Sequence, residues 1–146
     1  MSVAYFDASA AAKLYLNEIG SREVGFARER CERAVTSQLT TVEVVSAVAR
    51  AFRTRRIDQA ETDRLTMHAQ IEFGSLFDLL PVTLAVIDQA ARLVPRHGLR
   101  AYDAVQLATA LDLRVAAEGV LFVVADSELA KAARAEGFDV PAIPRG

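Results

Sequence analysis

Short apolar runs that lack any polar face recur along this chain, separated by longer stretches with helical periodicity. The clearest are residues 3–6 (VAYF) and 121–125 (LFVVA). A strand without a polar face is buried on both sides, which is typical of a parallel sheet. Three further strands are predicted at residues 34–37, 77–82 and 140–143. Pro81 places the second of these at a sheet edge, because proline has no N–H for the ladder. The pattern predicts an α/β fold with a mostly parallel sheet of about five strands.

Helical segments are predicted between the strands, at residues 10–16, 22–33, 40–56, 58–73, 84–94, 101–117 and 127–136. Ser9 is a candidate cap for the first helix. Thr40 and Glu43 have the spacing of a capping box, and Asp58 begins the next helix in the same manner. Strands that alternate with helices imply right-handed crossovers and a sheet covered on both faces. A chain of 146 residues is most simply one domain, residues 1–146.

Two of these helices form a predicted helical hairpin over about residues 40–73, because their connection is very short. Met67, Ile71 and Phe73 lie on this hairpin and are candidates for docking a partner protein. Ordinary packing onto the sheet explains the same three side chains equally well. The sequence leaves both interpretations open.

Composition narrows the functional classes. Hydrophobic residues make up 52% of the chain, enough for a core without disulfides, and Cys31 is the single cysteine, which fits a reducing cytoplasm. No apolar run approaches the ~20 residues that span a bilayer, and no signal peptide is expected. The net charge of −2 disfavours broad, non-specific binding to nucleic acid. A protein of this charge would contact nucleic acid through a local patch or a bound metal.

Four carboxylates occupy positions where a strand ends or a helix begins: Asp7, Glu43, Asp103 and Asp126. None has a lysine or arginine next to it in sequence. Asp7 and Asp126 directly follow the two best strands, so both belong to the carboxyl edge of the sheet, where ligands bind in such folds. Buried negative charge needs compensation. A divalent cation held through oxygen ligands would provide it for all four.

Each acid also has a purely structural explanation. Asp7 fits a turn or cap, although Ser9 is better placed to cap the helix. Glu43 fits the capping box, Asp103 favours the dipole of its helix, and Asp126 is able to cap the last helix. One shared site explains the positions of all four acids, whereas the structural explanation requires a separate reason for each acid.

Basic residues near the acids are candidates for phosphate contact. Lys13 follows Ser9 by one helical turn, and Arg100 precedes Asp103 by three residues. Four arginines cluster at the end of the helix around residues 50–56. Compensation of the helix dipole and a contribution to solubility are slightly favoured for this cluster over phosphate binding, which stays open.

Four segments of the chain resemble motifs of the PIN-domain family, in family order: residues 5–15 (YFDASAAAKLY), 41–47 (TVEVVSA), 99–110 (LRAYDAVQLATA) and 123–129 (VVADSEL). The resemblance implies a PIN-like three-layer α/β/α sandwich. It also implies a metal-dependent ribonuclease that is the toxin half of a VapBC toxin–antitoxin pair, is inhibited by a VapB-like antitoxin protein and forms a homodimer.

The resemblance carries site roles onto particular residues. It implies that Asp7, Glu43, Asp103 and Asp126 form the acidic metal site, with Ser9 and Ser127 as accessory polar residues. Mg²⁺ or Mn²⁺ is the expected cofactor, because hard cations suit carboxylates and promote attack of water on a phosphodiester. Asp7, Asp103 and Asp126 are expected to anchor the metal, and Glu43 to ligate it or to position the water.

Three alternative functions have to be compared with this interpretation. A phosphoacceptor receiver domain is disfavoured because the third strand ends in Leu80-Pro81-Val82 and no lysine follows the last buried strand. A haloacid-dehalogenase-type phosphatase would have a second aspartate where Ser9 stands. A catalytically silent binding module of the same fold stays open. The RNA target is not encoded in any motif.

Overall fold

The computed structural model describes residues 2–145 of the chain. Among these residues, four strands form one parallel sheet: β1 (Val3–Phe6), β2 (Arg33–Ser37), β3 (Asp78–Leu80) and β4 (Leu121–Val123). The strand order is β3–β2–β1–β4, and the register aligns Tyr5 of β1 with Val35 of β2 and Phe122 of β4. Every pairing is parallel, as predicted, so the carboxyl ends of all four strands lie at one edge. Met1 and Gly146, part of the predicted domain, lie outside the described residues.

The fifth predicted strand, residues 140–143, is absent from the described part of the chain. Only an isolated bridge between Leu121 and Asp139 marks the place where it would have joined β4. Pro141 and Pro144 explain the difference, since neither has an N–H to donate to a ladder. The sheet therefore has four strands, and β3 lies at an edge as Pro81 predicted.

Seven helices connect the strands within residues 2–145. They are α1 (Ala8–Ala12), α2 (Ser21–Arg30), α3 (Gln38–Arg53), α4 (Gln59–Leu76), α5 (Leu84–His97), α6 (Ala101–Ala116) and α7 (Ser127–Ala135). All correspond to predicted segments, with ends that differ by up to four residues. None of the helices in this range combines the length and the apolar character needed to cross a bilayer.

Alternate residues of β1 point into two separate cores, which gives the predicted three layers. Tyr5 is fully buried in a core formed with α5, α6 and α7. Phe6 is equally buried on the other face, against α1 to α4, where its ring lies 5.4 Å from that of Phe77. A strand with both faces covered does not need a polar face, which explains why the sequence of β1 is VAYF.

Two predicted helix starts are wrong, and both corrections concern the candidate site. Helix α1 begins at Ala8, so Asp7 rather than Ser9 is its cap, with a carboxylate oxygen 2.9 Å from the N–H of Ala10. Helix α3 begins at Gln38 directly after β2, and Ser37 caps it by accepting from Leu39. Glu43 is therefore released from the predicted capping box and lies in the second turn of the helix.

Helices α3 and α4 form the predicted hairpin, and Asp58 caps α4 through the N–H of Glu61. Met67 and Ile71 are exposed on it, with 51% and 73% of their surface accessible. Phe73 is not: it is 1% exposed, and its ring lies 5.0 Å from that of Phe77. The predicted docking surface is thus reduced to Met67 and Ile71, because Phe73 faces the sheet.

Candidate active site

The four predicted acids reach one cavity of about 570 Å³ from four different elements. Asp7 immediately follows β1, and Asp126 follows β4 and precedes α7. Glu43 comes from α3, the helix that continues β2, and Asp103 lies in the first turn of α6. The parallel sheet explains the convergence, since the carboxyl ends of its strands share an edge.

Asp7 is the most buried acid of the four, with 2% of its surface exposed. Its carboxylate accepts hydrogen bonds from the N–H of Ala10 and from the hydroxyl of Ser9, which lies 2.8 and 2.9 Å from the two oxygens. Burial nevertheless raises the pKa of Asp7 to about 7, and the nearby charge of Asp103 adds to the effect. The side chain is therefore half protonated near neutral pH unless a cation compensates it.

Ser9 connects the segments that follow two neighbouring strands, β1 and β4. Its hydroxyl oxygen accepts from the backbone N–H groups of Ala125 and Asp126, at 2.9 and 3.1 Å, while its proton points to Asp7. The residue after β1 and the residues after β4 are thereby held at a fixed separation. The accessory role expected for Ser9 thus has a geometric basis, although Ser9 is not the helix cap.

Glu43 is partly buried, and one of its oxygens, Oε1, accepts from the Gln106 amide at 2.9 Å. Burial raises the pKa of Glu43, the hydrogen bond from Gln106 lowers it, and the charge of Asp103 raises it further. The net shift is upward. The charge of Asp103 therefore raises the pKa of both Glu43 and Asp7.

Arg100 joins the other two acids. Its guanidinium lies 3.2 Å from Oδ2 of Asp103 and 3.3 Å from Oδ2 of Asp126. Burial raises the pKa of the Asp103 carboxyl, Arg100 lowers it, and the charge of Asp126 raises it again. The other oxygen of Asp126 caps α7 through the N–H of Leu129 at 2.9 Å. Because the Arg100 side chain is 80% exposed, it is able to leave both partners without disrupting the core.

The donor set fits a hard divalent cation, because it consists of carboxylate oxygens that converge on one cavity, and the pKa values of Asp7, Glu43 and Asp103 are raised. Within residues 2–145, however, no three acidic, histidine or cysteine side chains already stand in a ligating arrangement. Binding would therefore require rotation of the acids toward a shared point and withdrawal of Arg100 from Asp103 and Asp126.

Comparison with known proteins agrees with this architecture. The PIN domain profile matches residues 4–135. The chain belongs to the PIN-domain family. It is similar to ribonuclease VapC45 of Mycobacterium tuberculosis, with 34% identity over 140 residues that cover 96% of this chain and 95% of the relative. The receiver-domain and phosphatase alternatives are set aside by this membership.

Solved structures share the PIN fold at lower identity. FitAcB from Neisseria gonorrhoeae superposes with a TM-score of 0.68 at 19% identity, covering 94% of this chain and 95% of that one. A toxin–antitoxin complex from Klebsiella pneumoniae gives a TM-score of 0.60 at 20% identity, covering 85% and 87%. These likenesses show the fold.

The remaining predicted site residues of this PIN domain differ in their placement. Lys13 lines the cavity, but its ammonium is held by Glu18 and by the carbonyl of Ile19. Ser127 does not line it: Ser127 is exposed at the start of α7 and borders a neighbouring cavity. The expected accessory role of Ser127 therefore has no support in the geometry, because α7 turns its first residue away from the acids.

Several residues that line the PIN-domain cavity were not predicted, among them Arg50, Tyr102 and Arg145. Arg50 belongs to the arginine cluster interpreted as dipole compensation, yet it faces the acids from α3. Gln106 was also missed. Its spacing of three residues from Asp103 was an available signal, since positions i and i+3 share a helix face.

Proposed function

We propose that this PIN-domain protein is a metal-dependent endoribonuclease and the toxin of a type II toxin–antitoxin pair. The observation that carries the proposal is the convergence of four carboxylates, from four separate elements, on one cavity at the carboxyl edge of the sheet. The relative named ribonuclease VapC45 covers nearly the same length and supports RNA as the substrate. A silent binding module of the same fold would have no need for four such acids.

We propose Mg²⁺ or Mn²⁺ as the cofactor. Such an ion lowers the pKa of an attacking water and offsets charge that develops on the phosphate. Asp7, Asp103 and Asp126 would hold it. The hydroxyl of Ser9 orients Asp7, and Glu43 accepts a proton from the water or orients it through the oxygen not bonded to Gln106.

Basic side chains at the cavity support binding of the RNA backbone. Arg50 and Arg145 are exposed, line the cavity and form no ion pair among the described residues. Arg100 would be free to act as a third phosphate contact if Asp103 and Asp126 held a metal ion. Such a local group of arginines would allow this protein, whose net charge is negative, to bind a polyanionic substrate.

We further propose a VapB-like antitoxin protein and a second copy of this chain as partners, acting in the cytoplasm. The toxin–antitoxin complex with the same fold supports the first. The exposed side chains Met67 and Ile71 on the α3–α4 hairpin are the proposed antitoxin contact. An antitoxin arginine that enters the acidic cavity would displace the metal and inhibit the enzyme.

Cleavage of a total-RNA pool tests the proposal. Purified wild type, Asp103→Asn and the control Asp112→Asn, whose carboxylate is exposed on the same helix, are incubated with Mg²⁺, Mn²⁺ or a chelator. Wild type and Asp112→Asn should cut with metal only, and Asp103→Asn should be at least about a hundredfold slower. Cutting that survives both the chelator and Asp103→Asn contradicts the mechanism. No cutting by any protein favours the binding module.

A further inference from the structure

Gln106 is a buried polar residue that the proposed mechanism has not yet used. It is 1% exposed on α6, three residues after Asp103. Its carbonyl oxygen accepts from the phenol of Tyr5 at 2.5 Å. Its amide nitrogen donates to the hydroxyl of Thr40 and to Oε1 of Glu43, both at 2.9 Å. Both amide protons and the oxygen are therefore used.

The network gives this amide a single orientation. Rotation of the amide by 180° would turn its oxygen toward the negative carboxylate of Glu43, which is repulsive. The hydroxyl of Thr40 lies 2.7 Å from that of Thr36, which bonds to the carbonyl of Phe6 at 2.6 Å. Gln106 is thus anchored directly to β1 through Tyr5, and to β2 through Thr40 of α3 and its contact with Thr36.

The contact leaves the two oxygens of Glu43 unequal. Oε1 is occupied by the amide, whereas Oε2 has no hydrogen-bond partner within the described part of the chain. Glu43 lines the cavity, so its unoccupied oxygen is the one available there. An exposed helix glutamate without such a contact would sample several rotamers.

We propose that Gln106 is a positioning residue that holds Glu43 so that Oε2 alone serves the metal or the attacking water; the inference rests on the proposed nuclease function. Residues that orient ligating groups commonly change metal affinity or activity by about 10- to 100-fold when they are replaced. Gln106 belongs to this class because its support comes from the sheet and its effect is exerted at the cavity.

The test compares Gln106→Met, which keeps the length of the side chain and removes its donors, with Leu113→Met. Leu113 is a matched control: it is 5% exposed on the same helix, does not line the cavity and also becomes a methionine. Gln106→Met should lower kcat about tenfold or more with KM for RNA within about twofold, and should weaken Mn²⁺ binding measured without RNA. Leu113→Met should leave all three values within about twofold, because it conserves the volume of the side chain.

A double-mutant cycle separates positioning from general loss of structure. Mn²⁺ dissociation constants are measured for Gln106→Met, Glu43→Ala and the double variant. The weakening caused by Gln106→Met should disappear when Glu43 is already absent. Equal weakening in both backgrounds overturns the proposal. If Gln106→Met does not fold, Tyr5→Phe takes its place, since it removes one anchor of the amide and should produce a smaller, equally Glu43-dependent loss.

The outcomes distinguish this inference from the proposed function. If Asp103→Asn abolishes the cleavage seen with wild type but Gln106→Met behaves like Leu113→Met, the role of Gln106 is overturned and the nuclease proposal stands. RNA cleavage that is insensitive to Asp103→Asn, or no Mn²⁺ binding by wild type, overturns both.

Discussion

The hydroxyl of Ser9 lies within 2.9 Å of both carboxylate oxygens of Asp7 and at the same time accepts two backbone N–H groups from the segment after β4. Ser9→Ala would leave those N–H groups without a partner in a largely buried place, and would leave the Asp7 carboxylate with only the N–H of Ala10. We expect a loss of about 1–3 kcal/mol in the free energy of unfolding and weaker Mn²⁺ binding. Urea unfolding and calorimetry measure the two. Ser46→Ala, exposed on α3, is the control, and a Ser9→Ala variant that matches it would contradict this account.

The pKa of Asp7 predicts an unusual pH dependence for the metal-free protein. Burial raises this pKa to about 7, against about 3.9 in an unfolded chain. Between these values the folded protein holds a proton that the unfolded chain has released, so stability falls as pH rises through the interval. The full effect is as much as roughly 4 kcal/mol. Asp7→Asn should abolish it and be more stable than wild type at pH 7.5.

Urea unfolding at pH 5 and pH 7.5 with a chelator checks this prediction, with Asp112→Asn as the control for a lost surface carboxylate. Addition of Mn²⁺ at pH 7.5 should raise the free energy of unfolding of wild type and should leave that of Asp7→Asn unchanged. If the free energy of unfolding changes by the same amount between the two pH values in wild type and in Asp7→Asn, Asp7 does not titrate in this range.

At the proposed metal site Arg100 would compete with the ion for Asp103 and Asp126, so its removal should tighten metal binding. Exposed ion pairs of this kind contribute about 0.2–1 kcal/mol each, and loss of both corresponds to roughly a two- to thirtyfold lower Mn²⁺ dissociation constant without RNA. The KM for RNA should rise, because a phosphate contact is lost. Arg92→Ala, an exposed arginine away from the cavity, is the control. Weaker Mn²⁺ binding by Arg100→Ala would mean that Arg100 supports the metal site instead.

The exposed pair on the helical hairpin predicts where an antitoxin docks. Ile71→Glu should weaken binding of the cognate antitoxin at least about tenfold, because it places a charge in the centre of an apolar contact. The control is Val115→Glu on α6, where the native side chain is 89% exposed. Surface plasmon resonance measures both. If Ile71→Glu and Val115→Glu bind the antitoxin with equal affinity, the antitoxin docks at a different surface of the molecule.

Four of the five predicted strands and the acidic edge were predictable from local sequence, whereas the region of residues 140–143 and the side-chain contacts were not. Runs such as VAYF have no polar face, so their burial follows from composition alone. Ser9 was wrongly predicted as the cap of α1, because the helix begins two residues earlier than expected and Asp7 therefore occupies the cap position. Gln106 was missed because its partners Tyr5 and Thr40 are 101 and 66 positions away, and only the packing of α6 on the sheet brings them together.

Anomalous diffraction from crystals soaked in Mn²⁺ tests most directly whether the converging acids share a cation. The account predicts one or two peaks in the cavity within about 2.0–2.5 Å of oxygens from Asp7 and Asp103, with Arg100 turned away, and no peak there in Asp103→Asn crystals. A cavity that stays empty at saturating Mn²⁺ while Arg100 still bridges Asp103 and Asp126 would contradict it.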